Sequence, residues 1–582
     1  MRAYEPVLRF TQGEYFFPVS VEEYVGRASL WRTEPGVGQV EEVAAGGLTL
    51  DTLATIAGAE QGLRFSLSGI GTTSGHTASA IAAAHIPLRE RPPRLARASR
   101  LASVGLTARL IDTANRASLL FRGSVPGGSA TRSFLLQRDH LRPDRPTYYG
   151  RVLRDDPWIV CQYWFFYSFN NWRSAFGGVN EHEADWEQVT VYLDGSGTTG
   201  PDGLPPARWV VFAAHDEIGD DLRRRWDDPD LTLVDGRHPV VFAGAGSHSG
   251  AYLPGDYLIT VRPPRLGGVA DALRWTAKHV VPWSAKDRQT VGIPYVDYAR
   301  GDGRAIGPGQ PESWLPELID DETGWVCHYR GLWGRDTRDR LGGERGPAGP
   351  RYLRDGSVRP AWADPVGWAG LAKVAPSPEA ERALVELRAR RNTDRATALD
   401  REIAALREDL AVSAAGLPSA APEVAALAGR ERKLLELRMA RVRLADELSG
   451  LDPDRPVPAS HPHAHLRHRR VPIEPMHGFR GRFGSWWAVL STPLILLAVA
   501  ALVSPLVPWG LEVAAGVLLL LVVVEGVTRG KFLAVLLRLF VALVGCAALL
   551  VLWFEGRYVA TAVFLVAAVV VLAVNLRETL RR

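Results

Sequence analysis

The segment Asn180-Glu181-His182-Glu183-Ala184-Asp185-Trp186-Glu187 runs directly into Gln188-Val189-Thr190-Val191-Tyr192-Leu193, a dense polar cluster opening an aromatic and β-branched run. Such a run predicts a β-strand, in which successive side chains point to opposite faces. If the strand has begun by Ala184, Asp185 and Glu187 share one face and Trp186 takes the other. Two carboxylates then converge, and His182 can fold over them from the preceding loop. One imidazole and two carboxylates suit a divalent cation, and the oxygen donors favour Ca²⁺, Mg²⁺ or Mn²⁺ over Zn²⁺. The same residues also read as a polar surface edge opening a strand.

Outward from this stretch, short aromatic and β-branched segments recur between Gly, Pro and Asp turns, at 159–169, 208–215, 239–242 and 256–261. Helical periodicity does not alternate regularly with them, so residues 1–370 are expected to form a mainly antiparallel β-sandwich, with one helix inserted over 102–120. His215 ends the apolar run Trp209-Val210-Val211-Phe212-Ala213-Ala214, and His248 follows Gly244-Ala245-Gly246-Ser247. Both stand where a strand enters a loop, the usual place for a functional side chain. The glycines before His248 leave room for close approach by a ligand. Around His248 the sequence is neither a GxSxG nucleophile elbow nor GxGxxG. For each lone histidine a purely structural role stands as the alternative.

The chain has 582 residues, enough for three or four domains, and its 46% hydrophobic and 23% charged content excludes wholesale disorder. A formal net charge of +4 gives no global basic field for nucleic acid. Cys161, Cys327 and Cys546 form no CxxC pair, which fits a reducing compartment. Met1-Arg2-Ala3-Tyr4-Glu5-Pro6 has no basic region before an apolar core, so no secretory signal is expected and the first domain is expected in the cytoplasm.

Residues 377–449 read as an antiparallel helical hairpin with a coiled-coil seam. Leu399, Ile403, Leu406 and Leu410 step by four and three, Gly416-Leu417-Pro418 breaks the run, and Leu427, Leu434, Leu437, Leu444 and Leu448 continue it. The seam could pack within the chain or join copies into a homo-oligomer. Residues 450–484 form a Pro-, His- and Arg-rich juxtamembrane linker. Its His461, His463, His465 and His468 could bind a metal or form a solvated tether on anionic lipid. Residues 485–582 are expected to be a four-helix transmembrane anchor, with apolar runs at 486–507, 509–527, 532–554 and 558–576, each near the roughly 20 residues a span needs. Arg467, Arg469, Arg470, Arg480, Arg482, Arg529, Lys531, Arg577, Arg581 and Arg582 flank one side and Arg557 the other. That asymmetry predicts a multi-pass cell-membrane protein with both termini cytoplasmic.

Tyr163-Trp164-Phe165-Phe166-Tyr167-Ser168-Phe169-Asn170, then His182-x-x-Asp185-Trp186-Glu187, then Gly246-Ser247-His248 with Tyr252, resemble the vacuolar protein sorting-associated protein 62 family. The resemblance spans residues 4–369. It takes in Tyr4-Glu5-Pro6-Val7-Leu8-Arg9-Phe10, Phe17-Pro18-Val19-Ser20-Val21, Gly331-Leu332-Trp333-Gly334 and Gly346-Pro347-Ala348-Gly349-Pro350. His182-x-x-Asp185-Trp186-Glu187 is also similar to the core motif of the necrosis- and ethylene-inducing Nep-like proteins, β-sandwiches with a bound divalent cation. That resemblance implies His182, Asp185 and Glu187 as metal ligands. Glu181 and Ala184 replace a Gly and a His of that motif, and Ser174 stands where its upstream acidic ligand would lie. Toxin activity is therefore not carried over.

These readings converge on a membrane-anchored, metal-binding β-sandwich that recognises a polar ligand, such as a glycolipid or sugar headgroup, at the cytoplasmic face. Metal-dependent hydrolysis of an ester or phosphoester, with His215 or His248 as general base, is the enzymatic alternative. A membrane scaffold acting through the coiled-coil stalk is the third. Membrane lipids, the polar ligand and a second copy through the stalk are the expected partners.

Overall fold

A computed structural model of the chain describes residues 1–56, 58, 60–65, 129–172, 181–197, 199–213, 222–261, 293–335, 346–413, 422–450, 471–473, 478–504 and 506–528, with scattered positions from 556 to 571. They divide into two units. The first holds the described residues up to 473 apart from 293–294, and the second holds those two and the residues from 478 on.

At the centre of the first unit is a six-stranded sheet in the order β16 (Leu315–Leu318), β5 (Thr147–Asp155), β6 (Trp158–Asn170), β7 (His182–Asp194), β8 (Ala207–Phe212) and β9 (Arg223–Arg225). β6 and β7 pair antiparallel from Trp158 opposite Asp194 to Asn170 opposite His182. β6 has no charged side chain, and both of its faces are buried. Cys161, Tyr163, Phe165 and Tyr167 lie on one, and Val160, Trp164 and Phe166 on the other. A near-continuous apolar run is what a strand covered on both faces requires. Each large side chain so buried stabilises the fold by roughly 1.5–3 kcal/mol.

The first of those faces packs against a five-stranded sheet. Its β1 (Val7–Phe10) lies between β11 (His238–Ala243) and β15 (Ala305–Ile306), and β10 (Leu233–Val234) and β12 (Gly250–Ala251) pair with β11. Leu8, Phe10, Val241 and Ala243 from this sheet share a core with Tyr163, Phe165, Val189 and Val191. A three-stranded sheet of β3 (Gly38–Val43), β2 (Ser29–Glu34) and β4 (Gln61–Arg64) covers the second face. Its Leu30 and Leu63 pack with Trp325 and Trp333 around Phe166 and Trp186. Val366, Ala369 and Leu371 close that face further along, over Val160, Tyr192 and Val211. β13 (Gly255–Val261) and β14 (Ile293–Ala299) make a separate pair.

This corrects the expectation of one antiparallel sandwich. Among the described residues the strands fall into four sheets, and β1 with β11 and β16 with β5 are parallel pairs. Alternation marks a strand but carries no information on its direction. The absence of regularly alternating helices also proves a poor guide, because the crossover from β1 to β11 passes through the central sheet. The helix expected over 102–120 lies outside the described residues.

Two long helices, α1 (Pro378–Ser413) and α2 (Pro422–Gly450), pair along the chain's helical segment. The Ser377 hydroxyl accepts from the Ala380 N–H at 3.2 Å and caps α1. Val385 and Ile403 of α1 and Leu434 of α2 are buried along the seam. Asn392 donates across it to the Leu437 carbonyl at 3.0 Å, and Arg407–Glu431, Arg430–Glu402 and Arg438–Asp400 ion pairs join the arms. The break at 416–418 lies outside the described residues.

The expected four-helix transmembrane anchor is also corrected. Among the described residues of the second unit, α3 (Gly478–Val503) and α4 (Gly510–Thr528) pack together, but only α3 is long and apolar enough to cross a membrane, over Arg482–Val503. The run expected at 532–554 lies outside the described residues, and of that at 558–576 only 561, 565–569 and 571 are described.

Candidate functional site

Along β7 the alternation of side chains is interrupted once. Ala184 has φ +62°, and its neighbours Glu183 and Asp185 reach opposite faces of the central sheet. Glu183 accepts from the Phe65 N–H at 3.2 Å and the Arg335 N–H at 3.0 Å, on the Trp333 side. Asp185 instead meets His248, whose ring lies on Tyr167. Glu187 shares the Asp185 side, since its charge and that of Asp185 both act on the Tyr167 hydroxyl. Trp186 lies in the opposite core.

Three buried residues from separate parts of the chain form the heart of this site. His248 Nδ1 is 2.9 Å from Asp185 Oδ2, and His248 Nε2 is 3.8 Å from Glu14 Oε1. Glu14 Oε1 accepts from the N–H groups of Tyr15 (2.7 Å) and Phe16 (2.9 Å), and Oε2 accepts from Gly246 N–H at 2.7 Å. Asp185 Oδ2 also accepts from Asn170 Nδ2 at 3.0 Å. Tyr167 covers the imidazole with centroids 3.8 Å apart. Among the described residues, His248 Nε2 and the Tyr167 hydroxyl are buried with no hydrogen-bond partner within 3.5 Å.

Electrostatics fix the protonation states. Burial alone would push the His248 imidazolium down, but Asp185 and Glu14 outweigh it and hold the group at about 9. Burial would likewise raise the Glu14 carboxyl, yet His248 and the N–H groups of Phe16 and Gly246 bring it below its ordinary range. The Tyr167 hydroxyl is pushed far up by burial and then by Glu187, Asp185 and Glu14, so it stays protonated. His182 is a different case. Burial drives it down to about 4 despite the pull of Asp185, and its Nδ1 lies 2.7 Å from the Ala184 carbonyl.

The loop carrying His248 is shaped by close packing. His248 itself has φ +56° and Gly246 φ +80°. A Cβ on Gly246 would sit 2.3 Å from Asn171 Oδ1, and one on Gly244 would sit 2.1 Å from Asp297 Oδ1. Ser247 and Ser249 both donate to the Asp297 carboxylate, anchoring the loop to β14. The room beside these glycines, expected from the sequence to admit a ligand, is therefore filled by Asn171 and Asp297 of the same chain.

Of the residues that the sequence singles out, Asp185 and His248 are in contact, Glu187 is on their side of the sheet, and His182 turns to its own strand. His215 lies outside the described residues. Glu14, Tyr167 and Asn170 are the additions that the sequence reading left without a role. Among the described residues no three His, Cys, Asp or Glu side chains are grouped to hold a metal ion. The donor chemistry agrees, because Asp185 Oδ2 already receives hydrogen bonds from Asn170 and His248. The expected ligands His182, Asp185 and Glu187 are thus not brought together as one donor group among the described residues, and no chemistry is derived through an ion.

Compared with family models, curated proteins and solved structures, the chain matches none.

Proposed function

We propose that the β unit recognises a neutral, hydroxyl-bearing ligand such as a sugar or glycolipid headgroup, and that the C-terminal apolar helix holds the protein at a membrane. The observation that carries this reading is a pair of buried groups with no hydrogen bond among the described residues, the Tyr167 hydroxyl and His248 Nε2, the latter only ion-paired at 3.8 Å with the Glu14 carboxylate. A ligand hydroxyl both accepts and donates, so a single one can take a hydrogen bond from Nε2–H and give its own to Glu14. Asp185, Glu14 and Glu187 against one imidazolium leave the site negative, which disfavours an anionic ligand. The membrane part of the reading rests on Arg482–Val503, a 22-residue stretch that is long and apolar enough to cross a membrane.

The hydrolytic alternative is less well supported. A histidine that keeps its proton up to about pH 9 has no free lone pair to serve as a general base near neutrality.

The test uses the full chain and vesicles of phosphatidylethanolamine and phosphatidylglycerol, with and without a monoglucosyl diacylglycerol. Flotation should increase with the glycolipid, methyl glucoside should compete, and Glu14→Gln should abolish the gain. Equal flotation on both vesicles, with no competition, would overturn the proposal. Turnover of p-nitrophenyl acetate or phosphate at pH 7, lost in His248→Ala, would restore the hydrolase.

A further inference from the structure

α2 carries a second heptad stripe on the side away from α1. Ala428, Arg432, Leu435, Met439, Val442 and Asp446 follow one another at steps of four, three, four, three and four, and all are exposed. The inner seam, with Leu434 buried and Leu437 and Leu444 partly so, is already occupied by α1. Leu435, Met439 and Val442 are 60%, 58% and 63% exposed. Apolar residues in this spacing form a surface that a further helix can cover by knobs-into-holes packing.

We propose that this stripe pairs with the same stripe of a second copy, antiparallel about a two-fold axis at Met439. The charges select both the occupant and the direction. Arg432 and Asp446 stand seven residues before and after Met439. An isologous antiparallel contact places Arg432 against the partner's Asp446 at both ends, Leu435 against the partner's Val442, and Met439 against itself. A parallel contact would instead set arginine against arginine and aspartate against aspartate, which is repulsive. The pairing joins two hairpins into a four-helix stalk through a surface distinct from the leucine seam within each chain.

The experiment is disulfide cross-linking of the full chain in detergent, in the wild-type background with its native thiols as the reference. Met439→Cys should give a covalent dimer on mild oxidation. Leu435→Cys should cross-link to Val442→Cys in a mixture but poorly to itself, and exposed Lys433→Cys should stay at the wild-type level. In the Met439→Cys background, Arg432→Asp should weaken association about tenfold, as expected for losing two exposed ion pairs, and adding Asp446→Arg should restore it. No Met439→Cys dimer above the wild type would overturn the proposal. So would Leu435→Cys linking to itself as readily as Met439→Cys, the result for parallel chains.

Discussion

The Tyr167 ring lies flat on the His248 imidazole, with the planes 3° from parallel, and so joins the middle of the central sheet to the loop after β11. The ring is both lid and charge partner, since an aromatic face stabilises a cation held against it. Its hydroxyl has no hydrogen-bond partner among the described residues. Tyr167→Phe is therefore expected to change stability by less than about 0.5 kcal/mol, or to raise it, while Tyr167→Ala should cost about 3–5 kcal/mol. Chemical denaturation of both variants checks this. A loss above about 1 kcal/mol in Tyr167→Phe would show that the hydroxyl is bound to something buried with it.

Stability should peak between the titrations of the two histidines. The folded value of His248, about 9, lies above its unfolded value near 6.5. Its contribution is thus complete below about pH 6.5 and fades as pH rises through 9, a loss on the order of 3 kcal/mol. His182 works in the opposite sense. It is held neutral at about 4 in the fold, so stability falls as pH drops from about 6.5 toward 4, where the unfolded chain takes the proton first. Glu14, depressed in the fold, adds to the acid-side loss. Melting temperatures from pH 4 to 10 should trace this dome, and His248→Gln should flatten its alkaline limb. An unchanged alkaline limb in that variant would refute the charge assignment.

Alanine at the loop glycines should be costly for two different reasons. Gly246→Ala combines a positive φ with a contact against Asn171, and Gly244→Ala drives a methyl group into the Asp297 carboxylate. Each is expected to destabilise by about 1–3 kcal/mol. Asp297→Ala should relieve only part of the clash at Gly244, where a Cβ would also meet Ser247 Oγ at 2.2 Å, and should leave that at Gly246 unchanged. A double-mutant cycle read by urea unfolding separates the two.

Metal addition gives a direct test of the site's donor chemistry. With Asp185 engaged by His248 and Asn170, 1 mM Ca²⁺, Mg²⁺ or Mn²⁺ should leave the melting temperature at pH 7 within about 1 °C of the metal-free value. A rise of several degrees, abolished by Asp185→Asn, would mean that the ion displaces His248 from the carboxylate.

Much of the central sheet is legible from the sequence because β6 and β7 announce themselves. β6 has thirteen uncharged residues, and β7 turns from carboxylates into Val189, Val191 and Leu193. The partners of β1 are not legible in this way. Val7 pairs with Val240, and no local pattern records a contact of that span. Asp185 and His248 are readable as candidates because each stands at a strand end in a polar cluster. Glu14 is harder to read. Its only signal is a carboxylate between Phe10 and Tyr15-Phe16-Phe17, and its role appears only when Gly246 and His248 arrive beside it. The positive φ at Ala184 is equally hidden, since alanine gives no warning of left-handed backbone, and it sends Glu183 away from Asp185.

The interior position of β1 also governs the order of events during synthesis. Its two neighbours end at Ala243 and Ile306, so the strand made first cannot be enclosed until most of the β unit has been translated. At ribosomal speeds of about 5–20 residues per second, that is a wait of roughly 15–60 s. Throughout it Val7, Leu8 and Phe10 present an apolar edge with unpaired backbone groups. A nascent chain stalled before residue 306 would therefore be a template for edge-to-edge association and a ready client for chaperones.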